Sequence, residues 1–437
     1  MLTRLGTSGR LPNISCGLPQ VTRRWLESRT DGTVKLEDKP WPWQKKRFTM
    51  TREWLGERTL KRFNENSKSI AVMGNIASGK TAFAQKFAKT FGMLYAPDIS
   101  NSELWVVHPY GFDIRSMRNE LRTEQCKNML YDLEQFYSEA DPTKHSDGVL
   151  NFSRLFYNKR FMRFVDLNLH LFSTGQGIVV DSSPYCSLAY AHAYYDCGFI
   201  NSKALDFLTN MYTNTITSFF RPHIIYYLDL PVDKCLRNVK HRGVPWECNS
   251  PVINEKFLSA LDAAYKQVLF PSLHRYTEVI MLSKEDAKDW PMIVEEAEQL
   301  VLEPETQHLT ANEKFKDWYD LTEERASRVR RSLSNRFQWY QLLQEQGLPA
   351  ECPNSFVTGD HFVHFQKVIY GHPALKYWPG WNSAIGDSNI TLGKVFGKKT
   401  YGYYEDLEYD CIGWDPVRPL NEQWLAKGLQ PAAHTSH

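Results

Sequence analysis

Eight consecutive residues, Gly74-Asn75-Ile76-Ala77-Ser78-Gly79-Lys80-Thr81, carry the clearest chemical signature in the chain. They fit Gly-x-x-x-x-Gly-Lys-Ser/Thr in full. Glycines let the backbone curl so that several N–H groups converge, and the N-terminus of a following helix adds partial positive charge. A lysine at position 80 reaches the outer phosphates of a bound nucleotide, and the Thr81 hydroxyl is placed to bind Mg²⁺. All eight residues are therefore candidates for holding a nucleotide, with Thr81 a candidate metal ligand.

Such a loop works only between a buried strand and a helix, and the flanking sequence supplies both. Ser69-Ile70-Ala71-Val72-Met73 reads as a strand. Phe83, Ala84, Phe87, Ala88 and Phe91 recur at helical spacing, and Gly92 can end that helix. Further short apolar strands are expected at 93–96, 178–180, 224–228 and 279–282. Helices are expected over 151–173, 202–219, 232–241 and 253–270. Short strands separated by helices and apolar on both faces predict an α/β fold, a parallel sheet covered by helices. Right-handed crossovers would gather the strand C-terminal ends at one edge, where the site should lie. Residues 46–64 could hold a helix. A long helix is expected over 311–345, and its charges of alternating sign suggest a solvated or partner-facing surface. Residues 347–437, rich in Gly, Pro, Asn, Tyr and Trp, show no helical period.

Composition narrows the function. The chain has 437 residues, 42% of them hydrophobic and 23% charged, which is ordinary for a globular protein. A formal net charge of +2 gives no case for nucleic-acid binding. Aromatics reach 14%, enough to favour protein contact surfaces as well as a core. The eight cysteines form no Cys-x-x-Cys pair, so they suggest neither zinc nor iron–sulfur ligation and read as free thiols. No apolar run approaches the length of a membrane span. Residues 1–26 contain Arg4, Arg10, Arg23 and Arg24 and no acidic residue. That composition fits a mitochondrial transit peptide, with a basic tail as the alternative.

Three stretches together resemble the deoxynucleoside kinases: the phosphate loop, Thr174 to Ser183, and His223 to Val232. The resemblance spans residues 67–300 and implies a P-loop kinase-like fold, a parallel five-stranded sheet wrapped by helices. It also implies roles for particular residues. Asp98 stands where the family has the carboxylate that takes the proton of the sugar 5′-hydroxyl. Asp181 stands at the carboxylate of the Glu/Asp-Arg-Ser motif and would help Thr81 hold Mg²⁺. Arg237, Lys240 and Arg242 fall on the basic lid. Ser153 lies where the family has a glutamine that holds the base.

The departures bear on activity. Ser182 replaces the motif arginine, and a hydroxyl supplies neither fixed charge nor reach. Val244 and Pro245 weaken the lid. Phosphoryl transfer rests on positioning and charge neutralisation, so Asp98, Asp181 and Arg242 are candidates for vestigial rather than working catalytic groups.

Long extensions on both sides of the kinase-like region, and the segment Tyr377 to Asp387, resemble the kinase-like accessory subunits of mitochondrial respiratory complex I. This resemblance implies a structural, non-redox subunit without iron–sulfur cluster, flavin or haem. It would lie peripherally on the matrix side of the inner membrane, against other subunits of the membrane arm, and could still bind nucleotide. Two other functions fit the residues: an active mitochondrial deoxynucleoside kinase that phosphorylates the 5′-hydroxyl, and a nucleotide sensor within the complex. The expected organisation is a transit peptide (1–26), an N-terminal extension (27–66), the kinase-like domain (67–300) and a C-terminal helix with an aromatic extension (301–437).

Overall fold

The computed structural model describes Trp43 and residues 47–55, 57–107, 112–299, 314–319, 321–346 and 359–373. The expected transit peptide and the segment Tyr377 to Asp387 lie outside these residues.

Strands β1 (Ser69–Gly74), β2 (Leu94–Ala96), β3 (Ile178–Asp181), β4 (Ile224–Asp229) and β5 (Glu278–Ser283) form one parallel sheet in the order β2-β3-β1-β4-β5. All six residues of central β1 are buried. Side chains alternate between the faces of a strand, so β1 feeds two cores. Ile70 and Val72 pack with Phe83, Phe87 and Ile293, whereas Ala71 and Met73 pack with Phe164, Leu167 and Cys186.

Helix α1 (Lys80–Phe91) ends at Gly92 in the left-handed region and lays Phe83 and Phe87 against Tyr226 of β4. Covering the other face is α2 (Ser146–Thr174), followed by α3 (Cys186–Asp196) and α4 (Ser202–Ile216). Then come α5 (Val232–Arg242), α6 (Glu255–Ala264) and α7 (Trp290–Gln299). The expected 253–270 helix continues past α6 through a π turn, Tyr265–Leu269, just before Pro271. Proline has no N–H for the carbonyl four residues back, which favours such a local change of winding.

Sequence periodicity did not show α3. Its buried residues include Cys186, Leu188, Ala189, Ala191, Ala193 and Tyr194, so little amphipathic stripe exists to read. Short helices at Asn101–Trp105, Glu124–Asn128 and Leu133–Ser138 were equally hidden. Each is set by a capping side chain, Ser100, Thr123 and Asp132 respectively, rather than by a long pattern.

The regions flanking the sheet differ from expectation in four respects. Among the described residues of 46–64, the structure has a short helix, Met50–Trp54, and a 3₁₀ turn, Leu60–Arg62. The single helix expected over 311–345 is instead a turn at Lys316–Tyr319, α8 (Glu323–Leu333) and α9 (Arg336–Gln344). Thr322 caps α8 by accepting from the Arg325 N–H at 3.2 Å. Nor are the charges of this region simply solvated. Arg330 is fully buried, where its Nε donates to Ser173 Oγ at 3.0 Å and its Nη2 to Glu57 Oε1 at 3.1 Å. Its guanidinium also lies 4.1 Å from the Phe48 ring centre. Arg336 pairs with the fully buried Asp166 of α2. Glu323 accepts from the Thr59 and Leu60 N–H groups at 2.6 and 2.9 Å. The two flanking segments therefore grip each other across α2. Finally, the region without helical period contains α10 (Gly359–Gly371), whose Ile369 packs on Met117.

One glycine shows how tight this seam is. Gly175, which ends α2, sits at φ +75°, and a Cβ there would fall 1.9 Å from the Arg62 carbonyl oxygen. Only glycine allows both the turn and the approach.

Candidate functional site

Three strand ends build the site. β1 runs into the phosphate loop, β2 into Pro97-Asp98, and β3 into Asp181-Ser182. This is the edge at which right-handed crossovers were expected to place it. A cavity of about 230 Å³ lies there, and Lys80, Thr81, Asp98, Ser153, Asp181 and Arg242 all line it. These six sequence-predicted residues are thus brought to one place, whereas Arg237 and Lys240 do not line the cavity.

The loop is held from outside as well as by its own glycines. Gly79 takes φ +96°, the left-handed turn that lets α1 start at Lys80. Asn75, 1% exposed, donates from Nδ2 to the Leu258 carbonyl of α6 at 2.9 Å. Its Oδ1 accepts from the Ile76 N–H at 2.8 Å. From α5, Asn238 Nδ2 donates to the Ala77 carbonyl at 2.9 Å. Lys80 Nζ folds back to the Asn75 carbonyl at 2.8 Å.

Pairing of β1 with β3 sets Asp181 opposite Val72, within reach of α1. Thr81 Oγ1 donates to Asp181 Oδ2 at 2.6 Å. Burial raises the Asp181 carboxyl above the ordinary carboxylate range, and Asp98 adds to this. Lys80 and the Thr81 hydroxyl pull the other way. Ser182 is non-glycine with φ +59°, and its Oγ donates to Asp181 Oδ1 at 3.3 Å.

Sequence reading missed Arg160. It projects from α2 and binds Asp98 with both arms of its fork: Nε to Oδ1 and Nη2 to Oδ2, each at 2.8 Å. Asp98 Oδ1 also accepts from the Ile99 N–H at 2.7 Å. Burial alone would lower the Arg160 guanidinium, but Asp98 overrides it and holds the group well above its usual range. Three residues along α2, Arg163 donates to the Pro97 carbonyl at 2.7 Å and pairs with Glu103. The segment that carries Asp98 is therefore strapped to α2 at two points. The available signal was Lys159-Arg160-Phe161-Met162-Arg163, a set of cations inside an otherwise apolar helix. Burying charge there requires a partner.

Of the basic groups expected on the lid, Arg242 lines the cavity and pairs with Glu247. Arg237 pairs with Asp233 on its own helix at 2.6 Å. Ser153 lines the cavity, but its hydroxyl donates to the Val149 carbonyl at 2.6 Å. Among the described residues, no group of three or more His, Cys, Asp or Glu is arranged to hold a metal. Thr81 and Asp181, the expected metal-binding pair, offer hard oxygen donors of the kind Mg²⁺ prefers.

The chain is 27% identical over 338 residues to the Bos taurus protein named NADH dehydrogenase [ubiquinone] 1 alpha subcomplex subunit 10, mitochondrial, covering 77% of this chain and 90% of that one. It is 23% identical over 240 residues to a Dictyostelium discoideum deoxyguanosine kinase, covering 54% and 71%. A solved M. mycoides deoxyadenosine kinase with bound dATP aligns at 16% identity and a TM-score of 0.37, over 52% of this chain and 97% of that one. Residues 70–313, more than half of the sequence, match the profile of the deoxynucleoside kinases, and the chain belongs to that family.

Proposed function

We propose that the chain is an accessory, non-redox subunit of mitochondrial respiratory complex I, in which a deoxynucleoside kinase fold holds nucleotide without turning it over. One observation carries this reading. Asp98, the carboxylate positioned to accept the 5′-hydroxyl proton, has both oxygens bound by Arg160. In the same site, Ser182 stands where a guanidinium would be needed. A hydroxyl approaching that carboxylate must compete with two charged guanidinium donors already seated on it. A missing cation in phosphoryl transfer costs on the order of a thousandfold in rate.

The cradle itself keeps what anion binding needs. Loop N–H groups and Lys80 would hold the phosphates, and Thr81 with Asp181 would hold Mg²⁺. Likeness to a complex I subunit over most of both chains supports the placement: matrix side, peripheral, against other subunits of the membrane arm. No helix among the described residues is long and apolar enough to cross a membrane. In this scheme residues 1–26 are removed on import, residues 67–300 form the kinase-like domain, and the flanking segments brace it.

An active kinase is the second reading, favoured by the intact loop and the Thr81–Asp181 contact. Purified chain assayed with ATP and each deoxynucleoside separates the two. No saturable turnover is expected, together with co-migration with complex I on a native gel. Robust turnover abolished by Lys80→Ala, in a chain that migrates alone, would overturn the proposal.

A further inference from the structure

The short helix Met50–Trp54 and the residue after it carry the most exposed large apolar side chains among the described residues. Trp54 and Leu55 are 76% and 75% exposed, and Met50 is 52% exposed. Met50 and Trp54 stand four residues apart and so share one face of the helix, with Leu55 next in the chain. A single exposed apolar residue is ordinary, but a methionine, a tryptophan and a leucine so close together mark a contact surface.

The segment is pinned to the body of the protein. Phe48 is fully buried, and its N–H donates to Ser334 Oγ at 3.1 Å. Glu53 accepts from Arg331 at 3.2 Å, and Glu57 accepts from Arg62 at 2.9 Å and from Arg330 at 3.1 Å. Both acidic side chains described in this segment are therefore half-buried and paired with arginines of the chain. Over residues 47–62, every exposed charged side chain among the described residues is a cation: Arg47, Arg52, Arg58 and Lys61. Apolar groups are thus presented among positive charges, with the negative charges drawn inward.

That sorting of charge decides the occupant. At a bilayer surface a tryptophan ring sits at headgroup level, and leucine and methionine reach the acyl boundary. Arginine and lysine lay their stems along apolar surface and keep their charged ends at the lipid phosphates. We propose that Met50, Trp54 and Leu55, together with Arg47, Arg52, Arg58 and Lys61, form a docking surface for an anionic phospholipid bilayer. Three apolar side chains and four cations give a weak, reversible adhesion rather than an anchor. The inference goes beyond the proposed function and depends neither on nucleotide binding nor on assembly into complex I.

Flotation of the full chain with lipid vesicles tests it. The chain should float with vesicles of equal parts phosphatidylcholine and phosphatidylglycerol, less so as salt is raised, and should stay behind with phosphatidylcholine alone. Trp54→Ser combined with Leu55→Ser should weaken binding by about tenfold or more. Arg58→Ser, which keeps the apolar groups, should weaken it by about fivefold, the worth of one cation at such a surface. Met281→Ser, at an exposed apolar position on β5, should leave binding unchanged. Residues 1–26, also basic, are present in every variant and cancel in the comparison. Thermal melts check that each variant stays folded. No flotation with the anionic vesicles, equal flotation with the neutral ones, or binding that survives both the Trp54–Leu55 change and Arg58→Ser overturns the inference. Loss of co-migration with complex I in the Trp54–Leu55 variant, without vesicle binding by the native chain, overturns it in favour of a protein partner. A failure here leaves the proposed function standing, because that is read by turnover and native-gel migration of the unaltered chain.

Discussion

Arg160 and Asp98 meet fork to fork, each carboxylate oxygen 2.8 Å from a different guanidinium nitrogen, although 62 residues separate them in sequence. A helix buried for most of its length thus reaches the strand end that would otherwise present a free carboxylate.

Replacing Arg160 by methionine leaves Asp98 without its cation but keeps the phosphate loop. Arg160 is 10% exposed and Asp98 33%, so solvent screens part of the loss. A destabilisation of about 1–3 kcal/mol is expected, below the range for a fully buried pair. Urea unfolding measures it. Nucleotide-induced thermal stabilisation should persist and phosphoryl transfer should stay absent. Turnover in this variant would show that the ion pair, and not the lost cation at Ser182, blocks the chemistry.

Arg330→Met removes the buried hub between the flanking segments. Glu57, Ser173 and Phe48 then all lose the guanidinium that touches them. Burial raises the Glu57 carboxyl, but Arg62 and Arg330 together overcome this and hold it below its usual range. Loss of one partner should cost about 2–4 kcal/mol. Limited proteolysis should then cut within residues 47–66 faster than in the native chain. An unchanged cleavage rate would count against the clasp.

Gly175→Ala tests the seam. A methyl group at φ +75° and 1.9 Å from the Arg62 carbonyl forces the backbone to move. The expected loss is about 2–3 kcal/mol, with Lys80-dependent nucleotide binding preserved because the loop lies elsewhere. Thermal melts with and without nucleotide provide both readouts.

His223 yields a pH prediction. Burial, with Lys68 adding to it, pushes its imidazole down to about 3, while the Ser69 N–H donating to Nδ1 fixes the neutral tautomer. An unfolded histidine titrates near 6.5. Between these values the unfolded chain binds a proton that the folded chain refuses. The contribution is therefore complete above pH 6.5 and is lost as pH falls toward 3. His223→Gln removes this proton uptake. Relative to the native chain, the variant should gain about 1.4 kcal/mol per pH unit as pH drops from 6 to 4.5. Urea midpoints across that range measure the difference, and a constant difference would rule out a buried neutral His223.

The phosphate loop, the five strands and the helices of regular period were all legible, because each signal is local. A loop of small residues between an apolar strand and an amphipathic helix admits few other structures. The sequence also marked Ser182 as a lost charge, since a motif position is read residue by residue. Arg160 was not legible as the partner of Asp98, nor Glu57 as that of Arg330. An ion pair between distant residues leaves no periodic trace, and the same arginines on a helix facing water would read identically. The breaks at Thr322 and near Asn335 were hidden for a related reason: α8 and α9 take their directions from what they cover on α2. What residue order alone settled was the cradle and the sheet beneath it, since backbone geometry and the burial of alternating side chains act over a few residues. Which charges face the cavity, which are cancelled, and which hold the two flanking segments together were decided only in three dimensions, where burial leaves a charge stable only beside its counter-charge.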